Sequence, residues 1–211
     1  RAEPELTRLS PDLGLLLRRF GARQVRSQGT IGGNIANGSP IGDLPPALIA
    51  LGATLRIGCA NGQREIPLED FFVDYGQQDL ADNEYVASVV LPAHPQPHFR
   101  CWKIAKRFDQ DISAVLGAFS LTLVDGVVHN ARFCFGGMAT TPRRACRCED
   151  AMEGRRLDED TLAEAKYALQ QDFDPIADLR ASARYRRTVA ANLLDKYFQF
   201  LNVTDVPSVY E

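Results

Sequence analysis

The residues with the clearest chemical potential form a glycine-rich stretch near the start of the chain, Gly29-Thr30-Ile31-Gly32-Gly33-Asn34-Ile35. Adjacent glycines have no Cβ atoms, so the backbone and its N–H groups can approach a planar or anionic ligand closely. Asn34 adds an amide that can donate and accept hydrogen bonds. The stretch has neither the lysine of a P-loop nor the spacing of a Rossmann fingerprint. Its residues alone are compatible with a structural turn or with a ligand-binding loop.

A second polar stretch, Ser39-Pro40-Ile41-Gly42-Asp43-Leu44, follows closely. The Asp43 carboxylate is suited to hydrogen bonding with ribityl or ribose hydroxyls. Asp43 also lies just ahead of a helix that Pro45-Pro46 would open, where a carboxylate commonly serves as an N-cap. Both roles are open on the sequence.

Other charged or strand residues have ordinary explanations when they are considered one at a time. Lys103 and Val86 are typical strand residues, and residues 106–111 form a charged segment typical of a solvated loop. The run from Arg184 to Arg187 is either a solvated helix start or a contact to a partner subunit.

The charge balance excludes a general nucleic-acid binder. The chain has 211 residues with 24 Lys and Arg against 27 Asp and Glu, a net charge of −3, and the two signs are interspersed. A domain that reads phosphates has a basic excess or a basic face. The hydrophobic fraction of 45% and charged fraction of 24% are typical of a folded domain with a substantial core.

The apolar windows at 44–55 and 114–124 are shorter than the ~20 residues of a membrane-spanning helix. The five cysteines are an odd set without the spaced pairs of zinc or iron–sulfur sites, so we expect reduced thiols, no metal site and a cytoplasmic protein. Because the chain begins at Arg1 without an initiator Met or a leader, we expect it to be part of a longer protein.

Turn and cap signals divide the chain into short elements. The predicted elements are a helix over 12–19 ended by Gly21, a strand feeding a tight turn over 25–35, a helix over 44–51, strands over 53–57, 64–66, 85–91, 99–107, 112–124 and 127–135, and helices that begin at Thr141-Pro142, at Asp158 or Thr161, and at Ser182. In the last strand Ala131, Phe133 and Phe135 alternate with Arg132 and Cys134, which predicts a sheet with one buried face.

The order of strands followed by helices predicts an α+β fold. Two prolines at 93–98 favour an internal boundary there. We therefore expect a first domain over 1–97, a second over 98–205 and a tail over 206–211.

Several motifs in order along the chain together resemble the flavin-binding portion of the molybdenum hydroxylases, in the form of the small subunit of bacterial xanthine dehydrogenases. The similarity extends from about Phe20 to Leu201, and it includes the two stretches above, Phe71-Phe72 with Tyr75, residues 103–115, Phe135-Gly136-Gly137-Met138-Ala139 and Tyr185-Arg186-Arg187. Asp74 stands where the family has glycine before the tyrosine.

The resemblance implies part of a vanillyl-alcohol-oxidase-type FAD-binding domain, followed by a CO-dehydrogenase-flavoprotein-like C-terminal domain with a three-stranded antiparallel sheet and helices. Non-covalent FAD would be bound by residues that match the family motifs: Gly29, Thr30, Gly33, Asn34, Asp43, Val86 and Lys103. A cation beside the flavin would favour its reduced, anionic form. Residues 106–111 would approach the flavin and the nicotinamide acceptor site.

The function implied by the resemblance is electron transfer in hypoxanthine and xanthine oxidation. Molybdopterin would be bound by a molybdenum-binding large subunit, and 2Fe–2S clusters would lie upstream in the same chain or on a separate one. The family's glycine-rich pyrophosphate-binding turn would lie upstream of Arg1. FAD would pass electrons to NAD, and no residue of this chain would be catalytic for the purine. Alternatives are the flavin subunit of a hydroxylase acting on CO, an aromatic acyl-CoA or an aldehyde, or a flavin-free module that holds subunits together.

Overall fold

Residues 10–94 and 96–202 are described by a computed structural model. Pro95 of the predicted connection and the predicted tail at 206–211 lie outside these residues, and the predicted boundary between 97 and 98 stays a prediction. The first half contains helices α1 (Pro11–Arg18), α2 (Arg23–Gln28), α3 (Ile31–Ala36) and α4 (Leu44–Ala50), strands β1 (Thr54–Cys59) and β2 (Gly62–Pro67), a 3-10 turn (Leu68–Phe71), and strands β3 (Phe72–Asp74), β4 (Gln77–Gln78) and β5 (Tyr85–Val90).

The second half contains strands followed by helices, so the predicted α+β architecture is confirmed. Its elements are β6 (Arg100–Ile104), β7 (Val115–Val124), β8 (Val127–Gly136), β9 (Arg143–Arg144), α5 (Cys146–Met152), α6 (Glu159–Asp172) and α7 (Ala183–Asn202). The sheet has the order β6-β7-β8-β9 with antiparallel neighbours, so a two-residue strand extends the three that the sequence predicts. In the described part of the chain, no helix is long and apolar enough to cross a membrane.

The strand predicted over 25–35 is wrong, because this segment forms the two short helices α2 and α3. Thr30 separates them with an extended backbone, and its hydroxyl accepts a hydrogen bond from the Gly33 N–H at 2.9 Å. The cap satisfies an N–H group in the first turn of α3, which allows a helix despite its two glycines. The glycine-rich stretch is therefore a capped helix start.

Two hairpins form near their predicted turns. Ala60 and Asn61 join β1 to β2, one residue before the predicted Asn61-Gly62 turn, because Gly62 already pairs with Cys59. Strand β5 pairs with the other edge of β1 to form a three-stranded sheet. Asp125 and Gly126 have φ values of 52° and 76° and join β7 to β8. Positive φ at both central residues is the requirement of the tight hairpin turn that matches strand twist.

The second sheet is buried on both faces, so the prediction of a single buried face is wrong. Phe133 and Phe135 face the helices of the second half, whereas Cys134 between them is fully buried in the core of the first half. Helix α4 packs against β7 and β8 and covers this second face. The two halves therefore share one apolar layer along the sheet.

Of the described helices of the second half, α6 and α7 begin at a polar cap residue and α5 does not. Asp158 accepts the Thr161 N–H at 2.9 Å, which identifies Asp158 and not Thr161 as the cap of α6. Ser182 accepts the Tyr185 N–H at the start of α7. The helix predicted to begin at Thr141-Pro142 begins only at Cys146, because Arg143–Arg144 pairs with β8 as an edge strand.

Helix α7 also anchors the connection between the halves. The Tyr197 side chain is fully buried among Phe119, Phe133 and Trp102, and its hydroxyl donates to the His98 carbonyl at 2.6 Å. Burial raises the pKa of Tyr197, so the hydroxyl remains a neutral donor at physiological pH.

We expect Tyr197→Phe to lower the free energy of unfolding by about 1 kcal/mol, because the partly buried hydrogen bond to the His98 carbonyl is lost while the aromatic packing is kept. Urea denaturation measures the loss, and limited proteolysis should show faster cleavage within 94–98. Tyr167→Phe is the matched control, since Tyr167 is 69% exposed on α6. Equal effects of the two substitutions would contradict the anchoring role.

Candidate functional site

Two predicted site residues, Asp43 and Lys103, form a buried ion pair between the halves of the chain. The Lys103 Nζ lies 2.5 Å from Asp43 Oδ2, and the two side chains are 3% and 7% exposed, lysine first. Ser113 donates its hydroxyl to Asp43 Oδ1 at 2.5 Å. Each carboxylate oxygen therefore has its own donor.

The three residues of this ion-pair cluster come from three separate elements. Asp43 precedes α4, Lys103 lies on β6, and Ser113 lies just before β7. Asp43 makes no side-chain cap hydrogen bond to α4, and its own backbone is already helical at φ −81° and ψ −34°. The N-cap role considered for Asp43 is therefore wrong, since its carboxylate points to the second half instead.

The pairing fixes the electrostatics of this cluster. An unpaired ammonium or carboxylate at such burial would cost several kcal/mol of desolvation, and each charge here offsets the other. Lys103 is not the solvated strand lysine that its residue type suggests. Its positive charge is compensated by Asp43 in the described structure.

The remaining predicted residues form a second, glycine cluster: Gly29, Thr30, Gly33, Asn34 and Val86. Helix α3 packs on β5, and a Cβ on Gly32 would lie 3.2 Å from the Val86 carbonyl oxygen. The segment is exposed at Gly29, Thr30 and Gly33. The packing of α3 against α4 connects this cluster to the ion-pair cluster.

The glycine cluster has the features expected of a surface for a planar ligand with polar edges. The Asn34 Oδ1 atom is buried and has no hydrogen-bond partner among the described residues. Two apolar side chains of the same segment, Val25 and Ile31, are 52% and 45% exposed. A ligand that covered this surface would bury the apolar side chains and could supply the donor that Asn34 lacks. These residues fit the flavin that the sequence predicts.

The loop between Lys103 and Ser113 is ordered by its own polar groups and by two neighbours. Asp111 accepts the Arg107 N–H at 2.8 Å, a hydrogen bond that lowers the pKa of the Asp111 carboxyl. Arg19 donates to the Lys103 carbonyl at 3.0 Å, and Lys106 donates to the Leu179 carbonyl at 2.9 Å. The charged segment is thus attached to both halves of the structure.

Sequence reasoning missed two residues. Ser113 lies within the family motif at 103–115, but nothing in the motif assigns it a role, and only the fold brings it to Asp43. Arg186 lies in a charged run that we interpreted either as a solvated helix start or as a contact to a partner subunit, yet Arg186 is only 1% exposed. Its neighbour Arg187 is exposed and pairs with Asp174, as expected of a solvated helix start.

Comparison with known families assigns the two halves separately. Residues 1–94 match the family described as FAD binding domain in molybdopterin dehydrogenase. Residues 100–201 match the family described as CO dehydrogenase flavoprotein C-terminal domain.

Curated relatives are similar over most of the chain. Nicotinate hydroxylase hnxS of Emericella nidulans is 32% identical over 88% of this chain and 14% of that protein. Xanthine dehydrogenase 1 of Arabidopsis thaliana is 33% identical over 92% of this chain and 15% of that protein. The glyceraldehyde dehydrogenase medium chain of Sulfolobus acidocaldarius is 30% identical over 86% of this chain and 64% of that protein. The chain thus spans about a seventh of the first two relatives.

Solved structures share the architecture. Carbon monoxide dehydrogenase from Hydrogenophaga pseudoflava superposes with a TM-score of 0.86 at 27% identity, over 92% of this chain and 68% of that one. Quinoline 2-oxidoreductase from Pseudomonas putida 86 gives 0.82 at 26% identity, over 94% of this chain and 69% of that one.

We expect Asp43→Ala to lower the free energy of unfolding of the flavin-free chain by about 3–5 kcal/mol, because Lys103 and Ser113 lose their shared acceptor in a buried site. The double variant Asp43→Leu/Lys103→Met should be less destabilised than Asp43→Ala, since it leaves no buried charge. Denaturant titration measures both.

The Lys166–Asp195 pair offers a control, with a 2.7 Å separation and side chains 35% and 31% exposed. Asp195→Ala should cost no more than about 1 kcal/mol. If Asp43→Ala costs the same as Asp195→Ala, the buried pair does not hold the halves together.

Proposed function

Because the chain belongs to the molybdenum hydroxylase flavoprotein family, we propose that it binds FAD and transfers electrons in a xanthine-dehydrogenase-like enzyme. The residues that would hold FAD are those of the glycine cluster together with Asp43 and Lys103. The observation that carries this proposal is the exposed glycine surface around the unpartnered Asn34 Oδ1 atom.

Each cluster has a distinct part in this proposal. Gly29 and Gly33 leave the surface free of side chains, so the ligand can contact the backbone. Asn34 supplies an acceptor, and Thr30 keeps the α3 start in place through its hydrogen bond to the Gly33 N–H. Asp43 and Lys103 provide a carboxylate and an ammonium in fixed positions between the two halves.

When bound, FAD would supply the redox chemistry, which in this proposal connects iron–sulfur clusters to NAD as the acceptor. The chain's own contribution is binding and electrostatics, and none of its residues acts on the substrate. Asp43 partly neutralises the positive charge of Lys103, because the two groups are 2.5 Å apart. A flavin nearby would therefore experience a weaker positive potential than an unpaired lysine would produce.

We propose xanthine or hypoxanthine as the substrate of the whole enzyme, as in the small subunit of bacterial xanthine dehydrogenases. Molybdopterin would be held by a molybdenum-binding large subunit, with 2Fe–2S clusters on another domain or chain, in the cytoplasm. The similarity of residues 106–113 to the xanthine dehydrogenase form supports this choice, as do the plant and fungal xanthine dehydrogenases among the relatives. A hydroxylase acting on CO, an aromatic acyl-CoA or an aldehyde is the alternative within the family.

An absorption spectrum of the purified intact protein tests the proposal. A flavin spectrum, released as FAD on denaturation, would support it, and NADH should bleach the flavin band if NAD is the acceptor. A colourless protein that binds no added FAD would favour the flavin-free module. A flavin that NADH does not reduce would retain FAD binding and refute NAD as the acceptor.

We expect Gly33→Val to abolish FAD binding while the protein stays folded. Gly33 is exposed with an ordinary helical backbone, and a Cβ there would lie 2.9 Å from the Thr30 hydroxyl, which is too close for an ordinary contact. The substitution would therefore disturb the Thr30 cap of α3 as well as obstruct a ligand, but the added Cβ meets no other element of the fold. Flavin content and thermal stability are the measurements.

Asn37→Val is the control, because Asn37 is exposed at the other end of α3. It should keep its FAD. Full flavin content in Gly33→Val would show that the glycine surface does not face the cofactor.

A further inference from the structure

Arg186 is a fully buried arginine at the start of α7, and its side chain holds three separate segments. Its Nη1 donates to the carbonyl oxygens of Ala114 and Gly137, the latter at 2.9 Å. Its Nη2 donates to Asp178 Oδ1 at 2.8 Å. A buried guanidinium needs a counter-ion and acceptors for its N–H groups, and Arg186 has Asp178 and these two carbonyls. Its side chain thereby restricts the backbone at Ala114 and Gly137.

Ala114 adjoins the ion-pair cluster. It follows Ser113, whose hydroxyl binds Asp43, and its N–H donates to the Ile104 carbonyl at 2.8 Å, one residue beyond Lys103. A hydrogen bond therefore connects the residue after Lys103 to the residue after Ser113, and Lys103 and Ser113 are the two donors to the Asp43 carboxylate. With its N–H bound to the Ile104 carbonyl and its own carbonyl bound by Arg186, Ala114 restricts the backbone on the C-terminal side of Ser113.

Gly137 adjoins the other side of the same cluster. Its N–H donates to the Pro40 carbonyl at 2.8 Å, in the stretch that carries Asp43. Gly137 has φ +79°, and a Cβ at this position would collide with the Ala114 carbonyl that Arg186 binds. The turn after β8 thus brings the Pro40 segment, Ala114 and Arg186 together.

The charge of Arg186 is compensated away from the ion-pair cluster. Asp178 binds its Nη2, and the carboxylate also accepts the N–H groups of Arg180 and Ala181. Although burial acts in the opposite direction, these hydrogen bonds lower the pKa of Asp178, so the partner stays ionised. Arg186 therefore has its own counter-ion and does not compete with Lys103 for Asp43.

We propose that Arg186 is a positioning residue for FAD binding, which fixes the Asp43–Lys103–Ser113 cluster through the Ala114 and Gly137 carbonyls. The inference rests on the proposed function, and it assigns a binding role to a residue that does not itself belong to either cluster. The planar guanidinium of arginine can donate to several acceptors from fixed positions, whereas the lysine ammonium is a compact charge with no such planar arrangement of donors. Lysine at 186 should therefore keep the charge and lose the positioning.

The first test compares FAD affinity of the intact protein and its Arg186→Lys variant by flavin fluorescence titration. We expect the affinity to fall about 10–100-fold. Arg187→Lys is the matched control, because the exposed Arg187 pairs only with Asp174 among the residues the structure describes. Its affinity should be unchanged.

The second test separates positioning from mere stabilisation. If Arg186 acts through Ser113, then Arg186→Lys in a Ser113→Ala background should weaken FAD binding further by less than about threefold. If the effects of Arg186→Lys and Ser113→Ala on FAD affinity multiply, the two residues act independently and the inference is overturned. An Arg186→Lys protein that loses stability but keeps full FAD affinity would also overturn it.

The third test does not require FAD binding. In the flavin-free chain, Asp43→Ala should lower Tm by less than half as much in the Arg186→Lys background as in the wild type, because the pair is already misplaced there. Equal Tm losses would overturn the inference. A wild-type protein that binds no FAD would refute the proposed function, and a coupled Tm effect in that same protein would support only the positional link between Arg186 and Asp43.

Discussion

The structure of the site depends on one buried ion pair. The Lys103 ammonium and the Asp43 carboxylate have each given up hydration worth several kcal/mol, and only their mutual attraction and the Ser113 hydroxyl offset this loss. Because Asp43 belongs to the first half and its two donors belong to the second, the pair exists only while the halves are packed together. The geometry of the candidate site therefore depends on the packing of the two halves against each other.

The packing that this pair requires comes from a sheet with two buried faces. Leu116, Ala118 and Cys134 lie in the core of the first half, while Val115 and Phe119, their neighbours on β7, lie in the core formed with the helices. Alternate side chains of the same strands therefore pack into the two different cores. The sheet keeps β6 and β7 in register with Lys103 opposite Leu116, and Ser113 precedes β7 by two residues, so both donors to Asp43 come from this edge of the second sheet.

Local signals predicted the elements whose conformation is decided locally. The turn at Asp125-Gly126 was identified because few residues adopt positive φ without strain. The β1–β2 hairpin was also predicted, but its loop residues are Ala60 and Asn61, one residue earlier than the predicted turn. The segment 25–35 was misassigned because glycines and branched residues favour no single state, and the Thr30 cap decided the outcome.

The site residues show the same difference between what a local motif predicts and what depends on tertiary packing. Asp43 and Lys103 were identified by motif resemblance, but their pairing joins residues 60 positions apart and depends on tertiary packing. The burial of Arg186 was not predicted, although Tyr185-Arg186-Arg187 belongs to the resemblance, because charged residues in a run are normally solvated and its acceptor at Ala114 is 72 positions away.

The shared apolar layer has a consequence for the synthesis of the protein on the ribosome. Synthesis proceeds from the N-terminus, so helix α4 and its buried residues emerge well before β7 and β8, which cover them. Until about residue 136 has left the exit tunnel, the nascent first half has an uncovered hydrophobic face. A chaperone that shields nascent apolar segments would be needed most during this interval, and it would be released once the sheet closes over helix α4.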